Sequence, residues 1–349
     1  MTTVNRRITL AARPVGFPKL SDFRLVYSAL PSPGPGEVLV RSIYLSLDPY
    51  QRRLMGDDPS SNGRAIAIGE VIVGGGVAVV VESQDSSFHA RDAVEGMFGW
   101  QEFAVAKGSD LRKIDLSLAP ITTALGVLGM PGLKAFFGLL DVCYPQRGET
   151  VVVSGATGAV GMLAGQIALL EGCRVVGIAS SSDADISWLL DELGFDAAFN
   201  QSFDADYDAR LAELCPDGID VYFDDVGGAI TDAALRRING RARVSICGQS
   251  SQDNLEEPGA GPRWLQLLID REARVQGFLV SGYAERYPEG RRQLTSWLAQ
   301  GKLKYREDVA QGIEAAPQAF IAMLRGTGHG GQLVRLQGMW PDEIQGLAG

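Results

Sequence analysis

Val151-Val152-Val153-Ser154-Gly155-Ala156-Thr157-Gly158-Ala159-Val160-Gly161 reads as a buried strand that breaks into a glycine turn and opens a helix. Gly158 lets backbone approach a pyrophosphate closely, and the negative charge suits the N-terminus of the helix that follows. Gly161 and Ala164 let that helix pack tightly on the sheet. Three glycines alone are a weak signal, because turns are rich in glycine. Their setting sharpens the signal: an apolar strand precedes them, an apolar-faced helix follows, and a second strand comes at 174–178. That context meets the test for a dinucleotide-binding turn. The second strand runs into Ala179-Ser180-Ser181 with no acid placed to hold the ribose hydroxyls. Its absence admits a 2′-phosphate without requiring one.

Working outward, strands at 150–154, 174–178, 220–223 and 242–247 alternate with helices at 160–171, 185–192 and 229–235. Repeated strand–helix units with short connections predict a doubly wound parallel sheet. A helical pattern over 122–140 is interrupted at Gly129-Met130-Pro131-Gly132, where Pro131 ends one helix and begins another. The first 120 residues have a different texture. Pro31-Ser32-Pro33-Gly34-Pro35-Gly36 is a rigid turn into a strand at 37–43. Valines alternate over 69–81 around a Gly74-Gly75-Gly76 bend, and another short strand lies within 99–107. These features predict a small, coiled antiparallel barrel.

Bulk composition narrows the function. The 349 residues are 46% hydrophobic and 21% charged, enough for about two globular domains. A net charge of −10 argues against a nucleic-acid surface, which needs clustered Lys and Arg. Cys143, Cys173, Cys215 and Cys247 form no C-x-x-C and are expected as free, packed thiols. His89 and His329 are the two histidines, and no local cluster offers three metal ligands, so no metal is expected. With neither a signal-peptide pattern nor a membrane-length apolar run, a soluble cytoplasmic protein is expected.

Several stretches together resemble the zinc-independent medium-chain dehydrogenases/reductases, and within them the NADPH-dependent alkenal/prostaglandin reductases. They are Asn5-Arg6-Arg7, Leu45-Ser46-Leu47-Asp48-Pro49-Tyr50, Gly99-Trp100-Gln101-Glu102-Phe103, Gly129-Met130-Pro131-Gly132-Leu133 and the glycine turn. Others are Gly218-Ile219-Asp220-Val221-Tyr222-Phe223-Asp224, Val226-Gly227-Gly228, Cys247-Gly248 and Gly301-Lys302-Leu303-Lys304-Tyr305. The resemblance spans nearly the whole chain. It implies an α/β protein with a GroES-like β-barrel catalytic domain, residues 1–126 and 305–349, around a Rossmann domain, residues 127–304. A homodimer is also implied. Zinc-dependent relatives carry Gly-His-Glu where this chain has Ile68-Gly69-Glu70.

The family chemistry is hydride transfer from NADPH to the β-carbon of an α,β-unsaturated ketone or aldehyde. The resemblance assigns Tyr50 as hydrogen-bond donor to the enolate, near the nicotinamide, and Arg52 to the same loop. Cofactor contacts are implied for Gly155, Ala156, Thr157, Gly158, Ala159, Val160, Gly161, Ser180, Ser181, Gln201, Asp225, Cys247, Gly248 and His329. Several positions depart from the family. Asp185 and Gln201 stand where a Lys and a Tyr grip the 2′-phosphate, which implies a weakened NADPH preference with NADH admitted. An acid such as Asp185 is also at home as a solvated residue at a helix start. Lys134 replaces a Thr near the nicotinamide and is a candidate catalytic cation. Phe136 replaces a Tyr, His329 an Asn and Gln332 a Lys. Asp253 and Tyr283, with Ser281, are candidate pocket residues whose identity suggests an atypical substrate. A quinone reductase of the same superfamily and a non-catalytic nucleotide-binding relative are the alternatives.

Overall fold

The computed structural model describes residues 4–57, 64–179, 182–201, 206–257 and 259–336. The chain divides into two compact units, Gly126–Arg306 and the remainder, made of residues up to Leu125 and from Glu307 onward.

In the Gly126–Arg306 unit, the expected doubly wound sheet is present. Its strands are β1 (Thr150–Val153), β2 (Arg174–Ala179), β3 (Ala197–Asn200), β4 (Ile219–Asp224), β5 (Ile238–Ile246) and β6 (Arg274–Gly277). They lie in the order β3-β2-β1-β4-β5-β6, and every pairing is parallel. Helices cover a parallel sheet on both faces, so its central strands read as unbroken apolar runs. All of β1 is buried, and all of β2 after Arg174. The strand order reverses between β1 and β4, which opens a crevice at their C-terminal ends.

Two helices bear on that crevice. Helix α1 (Met130–Leu140) carries Pro131 in its first turn, where a missing N–H costs nothing. It follows a short 3₁₀ turn at Ile121–Leu125, so the predicted break near Pro131 is real. Helix α2 (Gly161–Leu170) is buried from Gly161 through Ala168, which is why its sequence is apolar on nearly every side. The helix predicted at 185–192 is instead α3 (Asp183–Ser187) running into a π-helical turn, Trp188–Glu192.

The other unit holds a seven-stranded sheet and a two-stranded ribbon, Val4–Leu10 with Phe23–Ala29. The strand predicted at 37–43 continues to Leu47, because residues 44–47 pair with residues 332–335. The valine strand starts only at Gly76, after the glycine bend. Pairing is antiparallel throughout except between Glu307–Gln311 and Gly331–Arg335, which run parallel. Within the first 120 residues the pairing is antiparallel as expected, and the parallel pair lies beyond them, its strands connected by helix Ala316–Leu324 as a parallel pair requires. Trp100, fully buried, stacks on Phe23 at 5.8 Å and meets the edge of Phe320 at 5.4 Å.

Candidate active site

The glycine turn hangs from the end of β1. Gly155 has φ +60°, a left-handed conformation that a side chain would strain. The Ala156 N–H donates to the Ile178 carbonyl at 2.9 Å, tying the turn to β2, and Gly158 N–H closes it onto Gly155 at 2.9 Å. A Cβ on Gly161 would lie 2.2 Å from the Gly155 oxygen, so only glycine lets α2 start here. At Gly158 the added atom would meet only that oxygen, at 3.2 Å. The described protein therefore leaves the outer side of Gly158 open, and a pyrophosphate fits the cradle. Ala156 and Thr157 are buried, and Ala159 and Val160 complete the turn into α2.

Across the switch point, the end of β4 is held by an acid to which sequence reading gave no role. Asp224 is fully buried. Its carboxylate accepts from Ser154 Oγ (3.0 Å), Tyr222 OH (3.1 Å), Thr231 Oγ1 (2.7 Å), Gln249 Nε2 (3.0 Å) and the Gly227 N–H (2.9 Å). Its backbone carbonyl accepts from Cys247 and Gly248. Burying a charge requires this degree of hydrogen bonding. Asp224 thus fixes the glycine turn, the 225–228 loop and the 247–249 loop relative to one another. An acid closing the buried run Val221-Tyr222-Phe223 was the available signal.

Three sequence-predicted residues meet beside this hub. Lys134 of α1 places its Nζ 4.0 Å from Asp225 Oδ1, and neither side chain is sealed, at 30% and 26% exposure. Burial pushes the Asp225 carboxyl up; Lys134 pulls it back, and Asp224 adds to the rise. The Cys247 thiol also touches Lys134 and Asp225 and is pushed well up, first by burial and then by Asp225. Lys134 is a member of this cluster. It is not a surface lysine. Asp253 lies farther along the 247–254 loop, half-buried. Tyr283 is spent on packing: its ring stacks on Phe137 at 4.7 Å.

At the far end of the turn, Ser180 and Ser181 fall outside the described residues. Gln201 follows β3, and its N–H donates to the Ala179 carbonyl at 3.0 Å. Its buried Oε1 has no hydrogen-bond partner. Asp185 is not a solvated helix-start acid, because its side chain is fully buried in an ion pair with Arg306. Ser182 Oγ also donates to it at 3.1 Å. Arg306 lies 121 positions away and carried no sequence signal.

In the other unit, Tyr50 opens helix Tyr50–Leu54, directly after the strand ending at Leu47. Gln51 pins this corner: fully buried, it donates to the Ser46 and Val73 carbonyls and accepts from the Asp48 N–H. Burial pushes the half-buried Tyr50 phenol up, Asp48 pushes it further, and a Gln51 contact opposes. The phenol therefore stays protonated, a donor, at neutral pH. Arg52 is buried and donates to the Gly16 carbonyl at 2.9 Å, holding a loop. The His329 N–H donates to Asp308 at 2.7 Å, and Gln332 reaches the same carboxylate at 3.2 Å.

Among the described residues, no group of three or more His, Cys, Asp or Glu side chains is placed to hold a metal, and no helix is long and apolar enough to cross a membrane. Two family models match the chain: the N-terminal domain of oxidoreductase over residues 6–114 and zinc-binding dehydrogenase over residues 159–297. The NADPH-dependent curcumin reductase of Escherichia coli is 42% identical over 339 residues, 96% of this chain and 97% of that protein. The NADP(+)-dependent 2-alkenal reductase of Nicotiana tabacum is 41% identical over 334 residues, 95% of this chain and 97% of that one. The crystal structure of CurA from Vibrio vulnificus in complex with NADPH superposes with a TM-score of 0.91 at 41% identity. It covers 96% of this chain and 100% of that chain.

Proposed function

Because the chain belongs to the medium-chain dehydrogenase/reductase superfamily, we propose that it is an NADPH-dependent reductase of the C=C bond in α,β-unsaturated ketones and aldehydes. The observation that carries this reading is the corner that presents Tyr50, a half-buried phenol at the start of its helix, fixed by the fully buried Gln51 through the Ser46 and Val73 carbonyls and the Asp48 N–H. The open cradle at Gly158 and the absence of an acid at the end of β2 support NADPH as cofactor.

When bound, NADPH supplies the hydride, which the β-carbon receives. The electrons of the C=C bond move toward the carbonyl oxygen, and Tyr50 donates a hydrogen bond to the enolate oxygen as its charge develops. The α-carbon then takes a proton from solvent water, which balances the hydride. Lys134 adds positive charge at the nicotinamide end, tempered by Asp225. The turn from Gly155 to Gly161 holds the pyrophosphate. Ser180, Ser181 and Gln201 serve the adenosine end, and Asp225, Cys247, Gly248 and His329 the nicotinamide end. Asp253 remains the pocket candidate on the cofactor unit, while Arg52 holds the loop at Gly16 and Tyr283 supports α1 by stacking on Phe137.

We propose that the unit ending at Leu125 and resuming at Glu307 is the catalytic domain and that Gly126–Arg306 is the cofactor domain, one or two residues from the bounds expected from sequence. Zinc-free chemistry is supported by Ile68-Gly69-Glu70, which lacks the zinc relatives' histidine. We place the enzyme in the cytoplasm. A homodimer is supported by the edge strand β6, with Leu265, Ile269, Val275 and Leu279 exposed around it. Sedimentation velocity should then find twice the 37.3 kDa chain mass, and a monomer would refute this.

The test of function is oxidation of NADPH by the purified protein against a panel of enones and quinones. Enones should be turned over. Consumption by quinones alone would reassign the enzyme as a quinone reductase, and no oxidation with any acceptor would refute catalysis. Tyr50→Phe should lower kcat by about 10²–10³-fold, the usual cost of one enolate or oxyanion donor. Unchanged turnover would remove Tyr50 from the mechanism.

A further inference from the structure

We propose that Arg306 is the cation that reads the adenosine 2′-phosphate, with Asp185 as the positioning residue that holds it there. The inference rests on NADPH being the cofactor.

Segment 304–306 is stapled to the cofactor unit. Gln166, buried in α2, donates to the Lys304 carbonyl at 2.9 Å and accepts the Lys304 N–H at 2.7 Å. Lys304 Nζ pairs with Glu192 at 2.9 Å. Two residues on, the Arg306 guanidinium pairs with Asp185 and lies over the Trp188 ring, 5.2 Å from its centroid. All of these anchors lie on α2 or on the helix that follows β2. The ribose of a bound dinucleotide lies beyond the end of β2, and an arginine nearby is a known solution for the 2′-phosphate.

The donors of Arg306 are only partly spent. One Nη bonds Asp185, while Nε is buried with no partner. A 23% exposed side chain leaves room for a ligand oxygen. Trp188 Nε1, in the ring beneath, is likewise buried and unpartnered. Donors left this way in a native fold call for an acceptor. A phosphate monoester supplies several, and a guanidinium binds it in bidentate fashion.

This changes the meaning of Asp185. Standing where the family has a lysine, it would repel a phosphate if it faced it alone. Paired with Arg306, its charge is neutralised and turned to positioning. The cation comes from a distant segment in place of the local lysine.

Binding of adenosine 2′,5′-bisphosphate, NADP⁺ and NAD⁺ to the full chain, followed by calorimetry, tests the idea. Arg306→Gln should weaken the bisphosphate and NADP⁺ by about 10- to 100-fold, the scale of a lost charge-assisted contact. NAD⁺ should stay within about twofold. Because Arg306→Gln strands a buried carboxylate, the double variant Asp185→Asn with Arg306→Gln provides a second route, with the same selective loss expected. Equal weakening of NADP⁺ and NAD⁺ in the double variant would show a merely structural role and overturn the proposal. Unchanged NADP⁺ affinity would do so while leaving the reductase reading intact. A parent protein that binds none of the three would overturn both.

Discussion

Two acid–cation pairs in the Gly126–Arg306 unit are built differently. Asp185 is sealed, with Arg306 pressed against it and against Trp188. Asp225 and Lys134 stand 4.0 Å apart, each about a quarter to a third exposed. In the sealed pair, desolvation has been paid for by close contact, and loss of either partner strands a charge. Water still screens the open pair, so its attraction is weak. The pairs differ in cation as well as in contact: a guanidinium can hold its carboxylate and keep further donors for a ligand, whereas an ammonium acts as a point charge.

The sealed pair gives the larger expected effect. Arg306→Gln should cost about 3–5 kcal/mol of stability, the range for removing one partner of a buried ion pair. Urea unfolding followed by tryptophan fluorescence would measure it. Adding Asp185→Asn should recover more than half, because the stranded carboxylate is then gone. If the single variant lies within about 1 kcal/mol of the parent, the pair is not sealed in solution and the contrast fails.

The same contrast explains what the sequence could show. The glycine turn was legible because its determinants are local: three buried valines, a left-handed Gly155 and the close approach at Gly161. Lys134 stood out because it replaces the family's Thr. Asp185 was legible as an oddity but not in its role, since Arg306 lies 121 positions away. Gln166 reaches Lys304 across 138 positions, a pairing decided by tertiary register rather than local pattern. Strand β3 has only four residues, and β6 is an exposed edge, so neither carries the apolar run of a central strand. The parallel pair Glu307–Gln311 with Gly331–Arg335 was hidden for a related reason. Strand direction is set by the connecting helix and not by the strand's own residues.

The open pair gives the smaller effect, and its pH dependence is what distinguishes it. Lys134→Gln should lower kcat about tenfold, equivalent to about 1.4 kcal/mol, if its charge serves the nicotinamide end. Its stability cost at neutral pH should stay below about 1 kcal/mol. Burial raises the Asp225 carboxyl above its ordinary value of 3.8, against the pull of Lys134. A carboxyl raised on folding binds its proton more tightly in the native state. Its contribution to stability is then fully present below 3.8 and is lost as pH rises through the folded value. Removing Lys134 lifts that folded value further, so the variant loses this stability over a wider window. The penalty of Lys134→Gln should therefore be greatest near neutrality and shrink toward zero as pH falls below the ordinary value. Urea unfolding of parent and variant across that range measures the difference. A penalty that does not change with pH would mean that Lys134 contributes packing rather than charge, and the contrast with the sealed pair would then fail.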